Sequence, residues 1–312
     1  MTTTTKMPKS QTFITNTNEE NGILSFTLSG LNVSYANSIR RILLSEVPCV
    51  VINTFPYDNN DVNIIKNTTR FNNEIIKQRI SCIPIHITDL SIPLDDYLVE
   101  LNEKNDSKAT TYVTTEQFKI KNLKQNKYLP KNEVNTIFPP NSLTKHYIDI
   151  IRLKPSFDET NEGEEIVLTA KLSINYAKTN GSYNVVSTCF YENTIDTERQ
   201  SSELEKFIIE NTTEEDDESS IERKRNNWYT LDGKRIFVKD SFDFKIKTVG
   251  VFPNKELVKI ACDIMQEKLS VINDKADKQE LIIETNKTTM NNSFDIKLIN
   301  EDYTLGKVLE YI

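Results

Sequence analysis

Apolar positions recur along this chain with two different periods, and the places where the period changes divide it into candidate elements. Residues 1–20 are polar and Thr-rich, show no apolar period and predict a disordered tail. Ile23, Phe26, Leu28 and Leu31 then mark a half-buried strand over 23–31. The spacing turns helical over 35–46, where Ile39, Ile42, Leu43 and Val47 form one stripe, Ser34 supplies a cap and Pro48 a stop. Arg40 and Arg41 fall beside that stripe. A β-branched strand follows at 50–55, a polar loop at 57–69, and a short helix at 71–79 with Phe71, Ile75 and Ile76 inward. Residues 80–87 alternate as a strand that Pro84 must bend, because proline has no N–H to give a ladder.

From 88 to 235 the texture is that of a small, mostly β domain. Short strand-like runs at 98–101, 111–113, 148–153, 166–174 and 185–191 are separated by polar turns. Residues 197–227 carry the acidic run Glu214 to Glu218 and then Arg223, Lys224 and Arg225; adjacent blocks of opposite charge predict a solvated loop. Alternation returns at 241–248 through Phe242, Phe244 and Ile246, and Gly250 with Pro253 marks a turn. The strongest helical period lies at 255–272, through Leu257, Ile260, Ala261, Ile264, Met265 and Leu269. Such a stripe is ordinarily core, but on a pairing helix core and interface are one surface. Strands at 281–285 and 293–299 and the start of a helix at 304–312 close the pattern, and that helix reads as unfinished.

Composition narrows the function. The 312 residues suffice for two domains, and 37% hydrophobic with 27% charged residues implies packed cores carrying polar insertions. A net charge of −8 argues against a free-standing nucleic-acid binder. Glycine is scarce, at 7 residues, and no phosphate-cradling glycine motif occurs. Cys49, Cys82, Cys189 and Cys262 are far apart, with no CxxC. The only histidines, His86 and His146, form no metal-ligand pair. That excludes a disulfide framework and leaves almost no material for a zinc site or a Cys/His nucleophile. Their apolar neighbours suggest buried thiols in a reducing compartment. Asp58-Asn59-Asn60-Asp61 lacks the glycine and distal glutamate of a calcium loop. No apolar run nears the roughly 18 residues a membrane span needs, and the start of the chain is no secretory signal.

Three stretches carry a family resemblance. The run Asn37-Ser38-Ile39-Arg40-Arg41-Ile42-Leu43-Leu44-Ser45-Glu46-Val47-Pro48 resembles the signature helix of the alpha-like subunits of multisubunit RNA polymerases: bacterial alpha, its archaeal counterpart and the eukaryotic third-largest subunit. Phe71 to Ile85, with Asn73-Glu74, Arg79 and Ile83-Pro84, is similar to a second motif of that family. Phe242-Asp243-Phe244-Lys245-Ile246-Lys247-Thr248-Val249-Gly250, with Pro253 and the helix behind it, resembles a third. The three occur in the family's order over roughly 21–272. Phe294 to Leu298 and Glu301-Asp302-Tyr303-Thr304-Leu305-Gly306 resemble the opening of the small partner subunit, the eleventh in eukaryotes and L in archaea. Tyr303 stands where that pattern has His, and Lys307 where it has Asn. Fusion of the two units in one chain is an arrangement of some large DNA viruses, which the Asn/Lys/Ile-rich composition fits. The partner-like part would need several dozen more residues, so the chain reads as truncated.

The resemblance implies an α+β fold with a discontinuous dimerisation domain, 21–90 with 236–275, whose sheet packs on helices. A mostly β domain, 91–235, is inserted into it, and a second alpha-like domain begins at 280–312. It implies a non-catalytic assembly platform of a DNA-directed RNA polymerase, with magnesium only on the catalytic subunits and DNA reached only through the complex. Partners would be the two largest subunits and a second alpha-like unit, fused or separate, and no membrane. The compartment would be a viral factory, cytoplasm or virion for a virus, and the nucleus for a cell. Leu257, Ile260, Ala261, Ile264, Met265 and Leu269 would form the pairing stripe; six such side chains at about 1.5–3 kcal/mol each suffice to drive association. By their residue type alone Arg40 and Arg41 are two solvated helix arginines; the resemblance makes them docking residues for the second-largest subunit, Arg41 foremost. Asn37 is a cap or a contact. Many relatives carry a Cys cluster holding zinc or iron–sulfur in the inserted domain; residues 88–188 have no cysteine, so no metal and no cofactor is expected. The alternative function is a free protein-interaction adaptor on the same fold.

Overall fold

The computed structural model describes residues 13–156, 162–212, 217–285 and 293–311. In chain order these form strands β1 (Phe13–Glu20) and β2 (Ile23–Ser29), helix α1 (Val33–Ser45), β3 (Cys49–Val51), β4 (Val62–Asn67), α2 (Asn73–Ser81), β5 (Tyr97–Lys104), β6 (Thr111–Thr114), β7 (Lys119–Asn122), β8 (Lys127–Tyr128), α3 (Lys131–Ile137) and β9 (Asp149–Leu153). There follow β10 (Glu165–Lys171), β11 (Ser173–Asn175), β12 (Val186–Ile195), α4 (Thr197–Asn211), α5 (Glu218–Thr230), β13 (Phe237–Thr248), α6 (Asn254–Asp277), β14 (Ile282–Thr285), β15 (Phe294–Lys297) and α7 (Tyr303–Leu309). The class is α+β, as the family resemblance implies.

The chain divides into two compact units. The first takes residues up to Arg41, Thr188–Lys247 and those from Cys262 on; the second takes Ile42–Ser187 and Thr248–Ala261. These divisions differ from the expected 21–90 with 236–275 against 91–235. The reason lies in the core: Ile76, Ile80, Ile83 and Ile85 share one apolar cluster with Val99, Leu101, Leu168 and Ala170, so residues before and after 90 fold together.

In the first unit a four-stranded sheet runs in the order β1-β2-β13-β12. Antiparallel register sets Leu24 opposite Ile246, Phe26 opposite Phe244 and Leu28 opposite Phe242. All six are buried, which is what period-2 alternation on two facing strands produces. The rings of Phe26 and Phe244 stack at 5.2 Å, and Tyr191 of β12 meets Phe242 edge-on at 5.4 Å. A polar relay crosses the same strands: Asn16 donates to Thr27 at 3.2 Å, Thr27 to Asp243 at 2.6 Å and Thr194 to Asp243 at 3.1 Å.

In the second unit the sheet order is β4-β10-β5-β7-β8, joined by the pairs β3–β11 and β6–β9. Ile166, Leu168 and Ala170 of β10 and Val99 and Leu101 of β5 supply its buried face. Gly250 sits at φ +122°, with the ring of His86 3.5 Å from where a Cβ would be, so glycine is the residue that fits.

Four local expectations are corrected. Residues 13–20 of the expected tail form β1, an edge strand whose side chains are all exposed; a strand with no buried face leaves no apolar period to read. Residues 1–12 lie outside the described residues. The expected loop 197–227 is largely helical. Asp196 caps α4 by accepting the Arg199 N–H at 3.0 Å, Asp217 caps α5 by accepting that of Ser220 at 2.9 Å, and Leu204 and Trp228 are buried. Sparse apolar anchors outweigh the charge blocks; residues 213–216 of the acidic run lie outside the described residues. The polar stretch 57–69 contains β4, whose Val62 is buried in the apolar cluster although asparagines and a lysine surround it in sequence. Residues 82–87 form no strand: Ile83 and Ile85 are buried, but the chain around Pro84 joins no ladder, and the His86 N–H is taken by the Ile137 carbonyl at 3.0 Å.

Phe244→Ala removes a fully buried ring from the first unit and is expected to cost about 3–5 kcal/mol of stability, measured by urea denaturation. A loss under about 1 kcal/mol would show that the β2–β13 aromatic pairing is not a core.

Candidate subunit-pairing face

Helix α1 starts on Asn32, not on the expected Ser34. The Asn32 side chain accepts the Ser34 N–H at 2.9 Å, and its carbonyl accepts from Tyr35 at 3.0 Å and Ala36 at 3.4 Å. Ala36, Ile42 and Leu43 are buried, and so is Val47 beyond the helix end. Ile39, expected in the same stripe, is only half-buried because it turns toward a groove of about 470 Å³ in the first unit. Tyr35, Ser38 and Ile39 of α1 and Met265, Gln266 and Leu269 of α6 are among its lining residues.

The expected stripe on α6 is not uniform. Leu257, Ala261 and Met265 are buried, whereas Ile260, Ile264 and Leu269 are half-buried. The i, i+4, i+8 row therefore serves the fold of this chain. The neighbouring positions are partly exposed, and Met265 and Leu269 reach the groove.

The basic residues of α1 have partners within the chain. Asn37 is not a cap: its Oδ1 accepts both Nε (3.1 Å) and Nη2 (2.8 Å) of Arg40, which holds the guanidinium along the helix surface. Arg41 Nη2 pairs with Asp302 at 2.9 Å and its Nε donates to the Thr304 hydroxyl at 2.6 Å. The Ser38 hydroxyl donates to the Ser34 carbonyl at 2.6 Å and reaches that of Thr304 at 3.2 Å. From α6, Lys268 pairs with Glu301 at 2.7 Å. Asp302 also caps α7, accepting the Thr304 N–H at 2.8 Å. Leu305 and Val308 of α7 are 1% and 0% exposed. The segment 301–308 is thus docked by a row of charge-assisted bonds and two buried aliphatic side chains. Burial raises the Asp302 pKa, but the hydrogen bonds from Thr304 and the Arg41 guanidinium outweigh it and hold the carboxyl at about 2.

Sequence reasoning singled out Arg41 and the Glu301–Gly306 run separately. It missed that one is the partner of the other, and it missed Ser38 and Lys268. A contact between residues 261 positions apart leaves no local signal; the only readable clue was Asp302 two residues before Thr304, a helix-cap spacing. The thiols split: Cys49 and Cys189 are buried, Cys82 and Cys262 exposed. Burial pushes Cys49 up to about 11 and Cys189 up to about 12, the latter against the opposing pull of Arg40. Neither is a thiolate near neutrality, as a nucleophile must be. Among the described residues no cluster of His, Cys, Asp or Glu suits a metal, and no helix is long and apolar enough to cross a membrane.

Helices α1 and α6 thus line one groove, in a unit whose sheet joins strands from distant parts of the chain. The chain belongs to the RNA polymerase Rpb3/Rpb11 dimerisation domain family, which matches it over residues 25–269, a span that includes α1 and most of α6. It is 26% identical to the DNA-directed RNA polymerase subunit Rpo3 of Methanosphaera stadtmanae, over 82% of this chain and 95% of that protein. It is 25% identical to Rpo3 of Pyrococcus horikoshii, over 78% and 90%. With the Dictyostelium discoideum DNA-directed RNA polymerases I and III subunit rpac1 it shares 24% identity, over 82% and 79%.

Because the Asp302 pKa is lower folded than unfolded (about 3.9), its contribution is complete above about pH 4 and lost as pH falls through about 2. Asp302→Asn is expected to lower stability by about 1 kcal/mol at pH 7, a figure reduced for its partly exposed side chain. In thermal melts the gap to wild type should close between pH 4 and pH 2. A gap independent of pH would contradict the Arg41–Asp302 clasp.

Proposed function

We propose that the chain is a non-catalytic assembly platform of a DNA-directed RNA polymerase, and that its α1–α6 face pairs with a second alpha-like unit. The observation that carries this is the placement of both family helices on one groove, within a family match covering most of the chain. We propose further that 294–308 is the opening of that second unit, joined in the same chain and seated on α1 through Arg41, Ser38 and Lys268. The motif Glu301 to Gly306 supports this, since its Glu, Asp and Thr are the residues that make the contacts.

Arg41 then serves the pairing within the chain, and Arg40, braced by Asn37, is the α1 arginine left to face a large subunit. The half-buried Ile260, Ile264 and Leu269 would complete the apolar surface around the groove. The wide separation of the four cysteines along the chain, with no CxxC, supports the reading of a chain without a zinc or iron–sulfur cluster or other cofactor. Catalysis and the DNA would be handled by other subunits, in keeping with the net charge of −8.

A tagged full-length chain purified from its native source should bring down the two largest polymerase subunits; a complex lacking both contradicts the reading and favours a free adaptor. Ile264→Asp places a charge on the pairing surface and should reduce recovery of those subunits at least ten-fold while the chain stays folded by circular dichroism. Unchanged recovery removes α6 from the interface. Elemental analysis of the purified chain should find less than about 0.1 zinc or iron per chain; a stoichiometric metal would overturn the metal-free assignment.

A further inference from the structure

The second unit carries a cluster of guanidinium groups that the pairing face does not use. Arg70, Arg79 and Arg152 line one cavity of about 460 Å³, together with Phe71, Tyr112 and Asp149. Each arginine is held differently. Arg79, near the end of α2, donates Nε to the Ile150 carbonyl at 2.7 Å and Nη2 to that of Asp149 at 2.8 Å. Two of its five N–H groups thereby tie the helix to β9, and three remain. Arg152 is the cross-strand neighbour of Tyr112 in the β6–β9 pair, and its guanidinium lies over that ring at 4.8 Å. A stacked guanidinium keeps its N–H edge free and loses little side-chain freedom when an anion arrives. Arg70 forms no hydrogen bond or ion pair among the described residues. None of the three has a carboxylate partner there, although carboxylates outnumber basic side chains in this chain, 46 to 38.

We propose that this cavity is a docking site for an acidic peptide segment of a partner protein, with Arg70 and Arg152 gripping its side-chain carboxylates and Arg79 fixing the wall between them. The two guanidinium forks left open, those of Arg70 and Arg152, can each match a planar carboxylate bidentately. A nucleic-acid strand fits less well. Arg152 already covers one face of Tyr112, and the chain's net charge of −8 opposes a long polyphosphate more than a short acidic segment. The site lies on the other compact unit from the α1–α6 groove, so this proposal stands or falls apart from the polymerase reading.

The test is fluorescence anisotropy of a fluorescein-labelled octaglutamate peptide titrated with the full-length chain at 0.05 M and 0.15 M salt, with labelled octathymidylate in parallel. Saturable octaglutamate binding is expected, weakened by salt and weakened at least ten-fold, 1.4 kcal/mol, by Arg70→Glu and by Arg152→Glu. Arg79 is left unchanged because it also holds β9. Should Arg152→Glu misfold by circular dichroism, Arg70→Glu, which breaks no contact, carries the result. Absence of octaglutamate binding, or equal binding by Arg70→Glu, overturns the proposal. So does octathymidylate binding that is tighter than octaglutamate and lost in the same variants, which would assign the site to nucleic acid.

Discussion

The first unit of this protein depends on one long-range constraint: β2 must find β13. Thr27 and Asp243 are joined by a 2.6 Å hydrogen bond across 216 positions, and the facing rows Leu24, Phe26, Leu28 and Phe242, Phe244, Ile246 close a core that neither strand could bury alone. Such a closure has a high entropic cost that only extensive burial can offset. Once it forms, the helix after β2 and the helix after β13 are delivered together. The groove between α1 and α6 is therefore a consequence of strand pairing and needs no recognition of its own.

The same constraint explains what the sequence made legible. Strict alternation at Phe242-Phe244-Ile246 and the 3.6-residue period of α6 are local consequences of a single buried face, so their elements could be read directly. The mixed α+β class was read from the resemblance of three motifs to a known family, not from periodicity. The failures share a different physics. β1 is an edge strand whose side chains are all exposed, so no periodicity marks it. The hairpin of α4 and α5 rests on a few anchors, with Phe207 and Trp228 rings 6.2 Å apart, inside a segment whose charge blocks imitate a loop. Asp196 and Asp217 cap these helices, but the expected loop rested on the charge blocks alone.

The candidate site was half legible. Arg41 and the α6 stripe were named from their motif, but their roles depend on partners. Ser38 illustrates this: as a small polar residue on a helix it carries no signal, yet it is 2% exposed and its hydroxyl reaches the Thr304 carbonyl. Likewise the buried Leu257, Ala261 and Met265 could not be separated from the half-buried Ile260, Ile264 and Leu269 by spacing alone, since both rows satisfy a helical period.

The central claim is that α1 receives the segment 301–308 of its own chain. Hydrogen exchange read by mass spectrometry on the full-length protein tests it most directly. The amides of 304–308 in wild type should be protected, and Arg41→Ala should raise their exchange rate at least ten-fold while leaving β2 and β13 unchanged. Exchange of 304–308 at the rate of an unstructured peptide in wild type, or protection unaltered by Arg41→Ala, would contradict the account.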